Sequence, residues 1–202
     1  MPKPKKNAPS RKSRVPVIAA IAAVIAIALI LGGATVLTAA RLEEKDSFCA
    51  SCHSQNESTF YERTQAAAPT DLASWHHGDK QARCIDCHAG PGVAGRAAAM
   101  RLGAGDLIAW VTGQAIQPAP LNHPIPDANC LKCHEEVSKT QDFNRHFHAF
   151  LPRWQAMDPN AATCVSCHST HTTDGEASLT YLQRDRTVQV CQQCHSSIGG
   201  GD

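Results

Sequence analysis

The sequence predicts a mainly α-helical fold with extensive loops, in which one N-terminal transmembrane helix precedes a compact domain outside the membrane. Two observations carry the prediction: residues 15–40 contain no charged side chain, and all ten cysteines of the 202-residue chain fall into five copies of one short pattern. The aromatic content of only 5% agrees with this prediction. So few large side chains leave the polypeptide little material for a core of its own, which indicates short helices and loops wrapped around a bound group.

Residues 1–14 form a basic tail with six cations and no acidic residue. The positive-inside rule places such a tail in the cytoplasm, so we predict a single-pass protein of the cytoplasmic (inner) membrane with residues 41–202 on the extracytoplasmic side. A basic run can also bind nucleic acid, but this one adjoins a membrane segment, and no nucleic-acid partner is expected. Six of the 19 basic residues lie in the tail, which leaves 13 against 18 acidic residues, a net charge of −5, for the rest.

Residues 15–40 are rich in Ala, Ile, Val and Leu. Twenty-six uncharged residues are enough to cross a bilayer as a tilted helix, so the lipid bilayer is an expected partner. A cleaved signal peptide is the alternative, because Thr38-Ala39-Ala40 resembles a small-residue cleavage site. The apolar run is longer than the apolar region of a signal peptide, which favours an uncleaved anchor.

The five cysteine patterns all read Cys-x-x-Cys-His, the attachment signature of c-type haem. We number them motifs 1 to 5 in chain order: Cys49–His53, Cys84–His88, Cys130–His134, Cys164–His168 and Cys191–His195. In this signature both thiols bond covalently to the haem edge, and the histidine is placed to ligate the iron. The predicted attachment residues are Cys49, Cys52, Cys84, Cys87, Cys130, Cys133, Cys164, Cys167, Cys191 and Cys194, and the predicted proximal ligands are His53, His88, His134, His168 and His195.

Zinc knuckles and disulfides are the competing interpretations of these cysteines. A structural zinc site needs two such cysteine pairs brought together, and it does not require a histidine directly after the second cysteine. A disulfide framework has no reason to use one cysteine spacing throughout. Five covalently bound c-type haems are therefore predicted, in a compact multihaem cytochrome c domain. Without haem, this domain is not expected to fold.

Six histidines lie outside the motifs and are the candidates for the distal position on each iron: His76, His77, His123, His146, His148 and His171. We predict bis-histidine ligation of at least three haems, with one ligand from His76/His77 and one from His146/His148. His171 follows a motif histidine by three residues, and His123 stands among prolines. Methionine can serve at most two irons, because Met100 and Met157 are the only methionines after the initiator. Bis-histidine ligation generally gives lower reduction potentials than His/Met ligation.

The motifs begin at 49, 84, 130, 164 and 191, at intervals of 35, 46, 34 and 27, which lack the regularity of a solenoid repeat. The longest interval contains one well-patterned helix, predicted over residues 94–112, with Gly113 as its stop. Its apolar residues recur at three- and four-residue steps. Two interpretations stay open for this face: packing against a core, or contact with the membrane surface.

The order of these features resembles the NapC/NirT/NrfH family of membrane-anchored multihaem quinol dehydrogenases. The resemblance rests on the anchor followed by motif 1, on Trp75-His76-His77-Gly78 before motif 2, and on Gly105-Asp106-Leu107 with the later Gly113. It covers most of residues 15–170. It implies electron transfer from membrane quinol to an extracytoplasmic reductase or another redox protein, with Asp106 near the first haem and the quinol site.

Two features depart from that family. Gln55 stands where many members have a methionine that can ligate the first iron, and motif 5 adds a fifth haem to a core that commonly has four. The count of five also resembles the singly anchored pentahaem subunit of alternative complex III. An enzyme that reduces nitrite or a similar oxyanion is a less favoured alternative, because the histidines suffice to close every iron.

Overall fold

The computed structural model describes residues 15–52 and 54–198. The basic tail, His53 and residues 199–202 lie outside the described residues. The described part is helical and contains no β-strand, which confirms the predicted mainly α-helical fold with extensive loops. The ten α-helices are α1 (Val15–Leu42), α2 (Asp46–Cys52), α3 (Asn56–Thr64), α4 (Leu72–Lys80), α5 (Cys84–His88), α6 (Gly92–Val111), α7 (Asp127–Ser138), α8 (His146–Met157), α9 (Cys164–Cys167) and α10 (Arg184–Ile198), with 3₁₀ turns at Phe143–Arg145 and Ala177–Leu179.

Helix α1 is long and apolar enough to cross a membrane, judged by its length and composition. It continues two residues beyond the uncharged segment and has Arg41 in its last turn. A long arginine side chain can extend from such a position towards lipid headgroups. The chain divides into two compact units, one that ends at Leu42 and one that begins at Glu43.

The cysteine pair of every motif lies within a helix, in α2, α5, α7, α9 and α10 in turn. Residues three apart on a helix point to the same side. The two thiols of each motif are therefore presented together, as two bonds to one haem edge require.

The second unit has a small polypeptide core. Its main cluster of buried side chains consists of Leu151, Trp154, Ala162, Cys167 and Val190. These residues come from α8, α9, α10 and the loop before α9. The described core therefore lies around motifs 4 and 5, and the region of motifs 1 to 3 has no comparable cluster among the described residues.

Helix α6 occupies nearly the predicted range, and Gly113 follows it at φ +69°, a conformation that glycine adopts without strain. The core-packing interpretation of its apolar face is wrong for the described polypeptide, because no residue of α6 is buried. Ile108 and Val111 are 65% and 69% exposed. The pattern predicted the helix correctly, but the spacing of apolar residues does not reveal what covers them.

The beginning of α6 packs closely against the backbone that follows motif 2. A Cβ atom placed on Gly95 would collide with backbone atoms of Gly90, whereas a Cβ atom placed on Gly105 meets nothing within 4 Å. We expect Gly95→Ala to destabilise the protein by about 1–3 kcal/mol, the usual cost of an unaccommodated methyl group. Gly105→Ala on the same helix is the matched control and should stabilise it by about 0.5–1 kcal/mol. Denaturant titration followed by far-UV circular dichroism tests the pair, and equal effects of the two substitutions would contradict this packing.

Candidate haem-binding site

The first cysteines of neighbouring motifs lie against each other in two places. The side chain of Cys49 lies within hydrogen-bond distance of that of Cys84. In the same way, the side chain of Cys130 lies within hydrogen-bond distance of that of Cys164. Motifs 1 and 2 therefore form one close pair, and motifs 3 and 4 form another.

Each of these two pairs is held by an aspartate at the same position. Asp46 Oδ1 accepts a hydrogen bond from the backbone N–H of Cys84 at 2.9 Å, and Asp127 Oδ1 accepts one from the N–H of Cys164 at 2.7 Å. In both cases the carboxylate satisfies an N–H at the start of the next motif's helix, where negative charge is favoured.

This duplication was missed from the sequence, although two signals for it are present. The intervals between motifs 1 and 2 and between motifs 3 and 4 are 35 and 34 residues, and only motifs 1 and 3 have an aspartate three residues before their first cysteine. Together these signals indicate two similarly built pairs.

Further hydrogen bonds join the remaining neighbours, so that the motifs are linked in chain order. Lys132 of motif 3 donates to the carbonyls of Asp86 and Ala89, both at 3.0 Å, at the end of motif 2. Arg186, in the helix of motif 5, donates to the carbonyl of Val165 in motif 4 at 3.2 Å. Each described motif therefore contacts the next one along the chain.

Four motif histidines lie opposite a histidine from outside the motifs. The ring centroids of each pair are between 6.0 and 6.5 Å apart. The pairs are His88 with His171 (6.2 Å, ring planes 14° apart), His134 with His76 (6.0 Å, 90°), His168 with His148 (6.2 Å, 13°) and His195 with His146 (6.5 Å, 67°).

This spacing fits two imidazoles on opposite sides of one metal. A bond from a transition metal to an imidazole nitrogen is about 2 Å long and the ring centroid lies about 1.2 Å behind that nitrogen, which puts the two centroids about 6.3 Å apart. The residues present therefore fit haem iron held between each pair.

Hydrogen bonds set two of these rings in the tautomer that a ligand needs. Nδ1 of His76 lies 2.9 Å from the carbonyl oxygen of Leu72, and Nδ1 of His168 lies 2.9 Å from that of Thr180. A carbonyl oxygen only accepts, so Nδ1 carries the proton in both rings, and the lone pair is on Nε2. A backbone carbonyl in this role orients a ligating imidazole and makes it more basic.

His171 is held by packing on one face and by its backbone. Its ring stacks on Phe60 with centroids 4.1 Å apart, and burial lowers its pKa to about 4. Arg63 donates to the carbonyl of His171 at 2.8 Å and to the buried carboxylate of Asp71 at 3.2 Å. The ring is therefore fixed and neutral, with a lone pair available for a metal. Burial also lowers the pKa of His148.

The other predicted ligands are placed differently. His77 directs Nδ1 to the carbonyl of Ala82 at 3.1 Å and lies 3.4 Å from Asp46, and His123 is exposed in a loop. Neither lies opposite a described motif histidine, and His53 is outside the described residues. In the pair His76/His77 one member faces a motif histidine, whereas in His146/His148 both do.

Asp106 is exposed on α6, and this helix lies beside the helix of motif 1. Arg96 of α6 forms a 3.0 Å ion pair with Glu43, just before α2. After α6, Gln117 donates to the carbonyl of Cys52 in motif 1 at 3.3 Å. The structure thus brings the helix of Asp106 to the first motif.

In the part of the chain that is described, no three or more His, Cys, Asp and Glu side chains converge as ligands for a free metal ion. The zinc interpretation needs four such ligands at one point, and the described geometry does not provide them. The donor set fits haem instead.

Comparison with known proteins gives two matches that agree with this site. Residues 9–124 match the NapC/NirT cytochrome c family, N-terminal region, which is more than half of the chain, and residues 158–200 match the doubled CXXCH motif. No curated protein and no solved structure matches the chain. The chain belongs to the NapC/NirT cytochrome c family and is a membrane-anchored multihaem cytochrome c of electron transfer, with covalently bound c-type haem.

Proposed function

We propose that the protein binds five haems and relays electrons from membrane quinol to an extracytoplasmic reductase or electron carrier. The observation that carries the proposal is the linkage of successive motifs, through the side chains of Asp46, Lys132, Asp127 and Arg186, in the order of the chain. Haems attached at neighbouring positions along such a row are suited to pass electrons from one to the next.

The entry point is proposed at motif 1. Only residues 43–48 separate the end of α1 from Cys49, and seven peptide steps reach about 25 Å at full extension. The first haem therefore stays within a short distance of the anchor. Asp106 would act at this end, on a helix whose exposed apolar residues, among them Leu107 and Ile108, suit a lipid surface or a haem face.

The haems supply one-electron transfer when bound, and the chain's own residues hold the haems and tune their reduction potentials. Four motif histidines and the histidines opposite them would hold four of the irons. Phe60 covers one face of the His171 ring, and the backbone carbonyls of Leu72 and Thr180 hold protons on Nδ1 of His76 and His168. Axial ligand, burial and hydrogen bonding are the features by which a protein tunes haem potential.

Irons without a free coordination position favour an electron relay over an enzyme that reduces nitrite or a similar oxyanion. Such an enzyme needs an iron with a free position, and four of the motif histidines face another imidazole. We expect the dithionite-reduced protein to bind carbon monoxide at one haem at most, and not to turn over nitrite.

The proposed topology puts the N-terminus in the cytoplasm and the haem domain outside, because the basic tail resists export. The acidic surplus of residues 41–202 favours a partner with a cationic docking surface. Copurification in mild detergent identifies this partner: a single reductase agrees with the family role, and a many-subunit complex with the alternative-complex-III type.

Quinol-driven haem reduction tests the proposal. Full-length protein in lipid nanodiscs is mixed anaerobically with a reduced menaquinone or ubiquinone analogue, and the haem α-band is followed by stopped flow. We expect rapid reduction, at least tenfold slower after Asp106→Asn and unchanged after Asp185→Asn, an exposed aspartate of α10. Reduction by dithionite should be equal in all three proteins. Failure of quinol to reduce the parent protein would overturn the proposal.

A further inference from the structure

The first turn of α8 presents two histidines to two different haem motifs. His148 faces His168 of motif 4, and His146 faces His195 of motif 5. We propose that this single turn supplies the sixth ligands of haems 4 and 5 together, so that the two C-terminal haems form one clamped unit. The inference rests on the five-haem count of the proposed function, and it assigns ligands that neither matched region contains.

Helix geometry explains how neighbouring residues reach separate irons. Each residue of an α-helix turns by about 100°, so side chains two positions apart project to nearly opposite sides. His146 and His148 are such a pair, both within α8. The centroid distances of 6.5 and 6.2 Å show that each ring meets its own motif histidine and that the two do not compete for one.

The packing of α8 holds both rings in place. Trp154, only 1% exposed, and Leu151 pack in one cluster with Cys167 of motif 4 and with Val190, which directly precedes motif 5. The helix that carries the two distal histidines is therefore packed against the helices of the two motifs that it serves.

Polar contacts extend this arrangement to the neighbouring segments. Gln155 of α8 donates to the carbonyl of Ala162 at 2.8 Å, just before motif 4, and to Asp127 at 2.6 Å. Gln193, inside motif 5, donates to the carbonyl of Asn160 at 2.9 Å. Motifs 4 and 5 and helix α8 are thus tied to the same short loop, and the ligand pairs cannot shift independently.

The ring planes of the two pairs differ in a way that spectroscopy detects. The planes of His148 and His168 are 13° apart, and those of His146 and His195 are 67° apart. Near-parallel axial imidazoles give a low-spin ferric haem an ordinary rhombic electron paramagnetic resonance spectrum. Strongly crossed imidazoles give a highly anisotropic spectrum with one large g value. Haem 4 should therefore belong to the first class and haem 5 to the second.

Removal of each histidine tests the assignment in the full-length holoprotein. We expect His148→Ala to convert one rhombic low-spin signal to high spin, and His146→Ala to convert one anisotropic signal. Asn144→Ala, an exposed change in the preceding turn, should leave both signals as in the parent. The inference is overturned if either histidine variant keeps every low-spin signal, or if both variants remove the same signal.

Two further measurements distinguish a wrong ligand assignment from incomplete haem attachment and from failure of a variant to accumulate. Intact mass and pyridine haemochromogen spectra give the number of haems per chain. Fewer than five haems in the parent protein would refute the five-haem count of the proposed function, but not the pairing of His146 and His148 with separate motif histidines. If an alanine variant does not accumulate, His146→Met and His148→Met replace it, since methionine can still close the iron. Each should raise the potential of one haem and add one thioether–iron absorption band, and absence of that band from either variant overturns the inference. Neither measurement involves quinol or an acceptor.

Discussion

A chain that cannot attach haem is expected to lose its folded structure from Glu43 onward. The described residues of this unit bury few apolar side chains, and the largest of them, Trp154, Tyr181 and Leu151, all lie in the C-terminal half. Conformational entropy opposes folding at every residue, and so small a core cannot offset it over a unit of this length. The haems must supply the missing apolar interior, as a structural metal does in a small metal-dependent domain.

The test compares the protein made with and without the haem-attachment machinery. Without attachment, we expect the far-UV circular dichroism of the second unit to fall to that of an unfolded chain and limited proteolysis to digest it. Helix α1 should survive in lipid, because a membrane helix satisfies its own backbone hydrogen bonds.

The matched control removes one attachment site. Replacing only Cys191 and Cys194 by serine should lower the intact mass by one haem and leave the region of motifs 1 to 3 resistant to protease. A haem-free chain that stays helical and resistant beyond Leu42 would show that the polypeptide core is sufficient.

Local patterns in the sequence predicted helices α1 and α6 with nearly their observed bounds. An uncharged run defines α1, and the three- and four-residue recurrence of apolar side chains defines α6, because both signals are complete within one segment. The Cys-x-x-Cys-His pattern likewise contains its whole chemistry in five residues. Each of these predictions depends on neighbours along the chain.

The pairing of histidines depends on contacts between distant segments, which periodicity does not encode. His171 follows motif 4 by three residues, yet its ring lies opposite His88 of motif 2, because Arg63 and Asp71 hold its loop against α3 and α4. The sequence identifies six candidate distal histidines but does not assign any of them to a particular motif. Only the packing of helices from separate repeats assigns a histidine to a motif.

The same distinction explains why the sequence left two interpretations open for the apolar residues of α6. Its apolar residues mark a surface that avoids water, but they do not identify what covers that surface. Polypeptide, haem and lipid could each cover these apolar residues, and the sequence pattern does not distinguish among the three. The packing of the described residues tests only whether polypeptide covers α6, and no side chain of α6 is buried by it.

Trp154→Ala is expected to have the largest effect on stability of any single substitution in the described core. Trp154 is 1% exposed and packs with Leu151, Cys167 and Val190, and its ring meets Phe147 edge to face at 6.5 Å. Truncation of a buried tryptophan leaves a large cavity and typically costs about 3–5 kcal/mol. Trp154→Ala weakens the packing of the helix that carries His146 and His148. The haems proposed at motifs 4 and 5 should therefore lose their low-spin ligation at a lower denaturant concentration than the other haems.

Phe143→Ala provides the control, because Phe143 is an aromatic residue just before α8 with a side chain that is 72% exposed. Its truncation should change stability by less than about 0.5 kcal/mol, as is usual for exposed positions. Guanidinium titrations followed by far-UV circular dichroism and by the Soret band measure both variants, since covalent attachment keeps the haems on the unfolded chain. If Trp154→Ala unfolded in one step with all haems losing ligation together, the second unit would be a single cooperative block. If it matched Phe143→Ala, the tryptophan cluster would not hold α8 in place, and the two C-terminal haems would have to be fixed by their iron–histidine bonds alone.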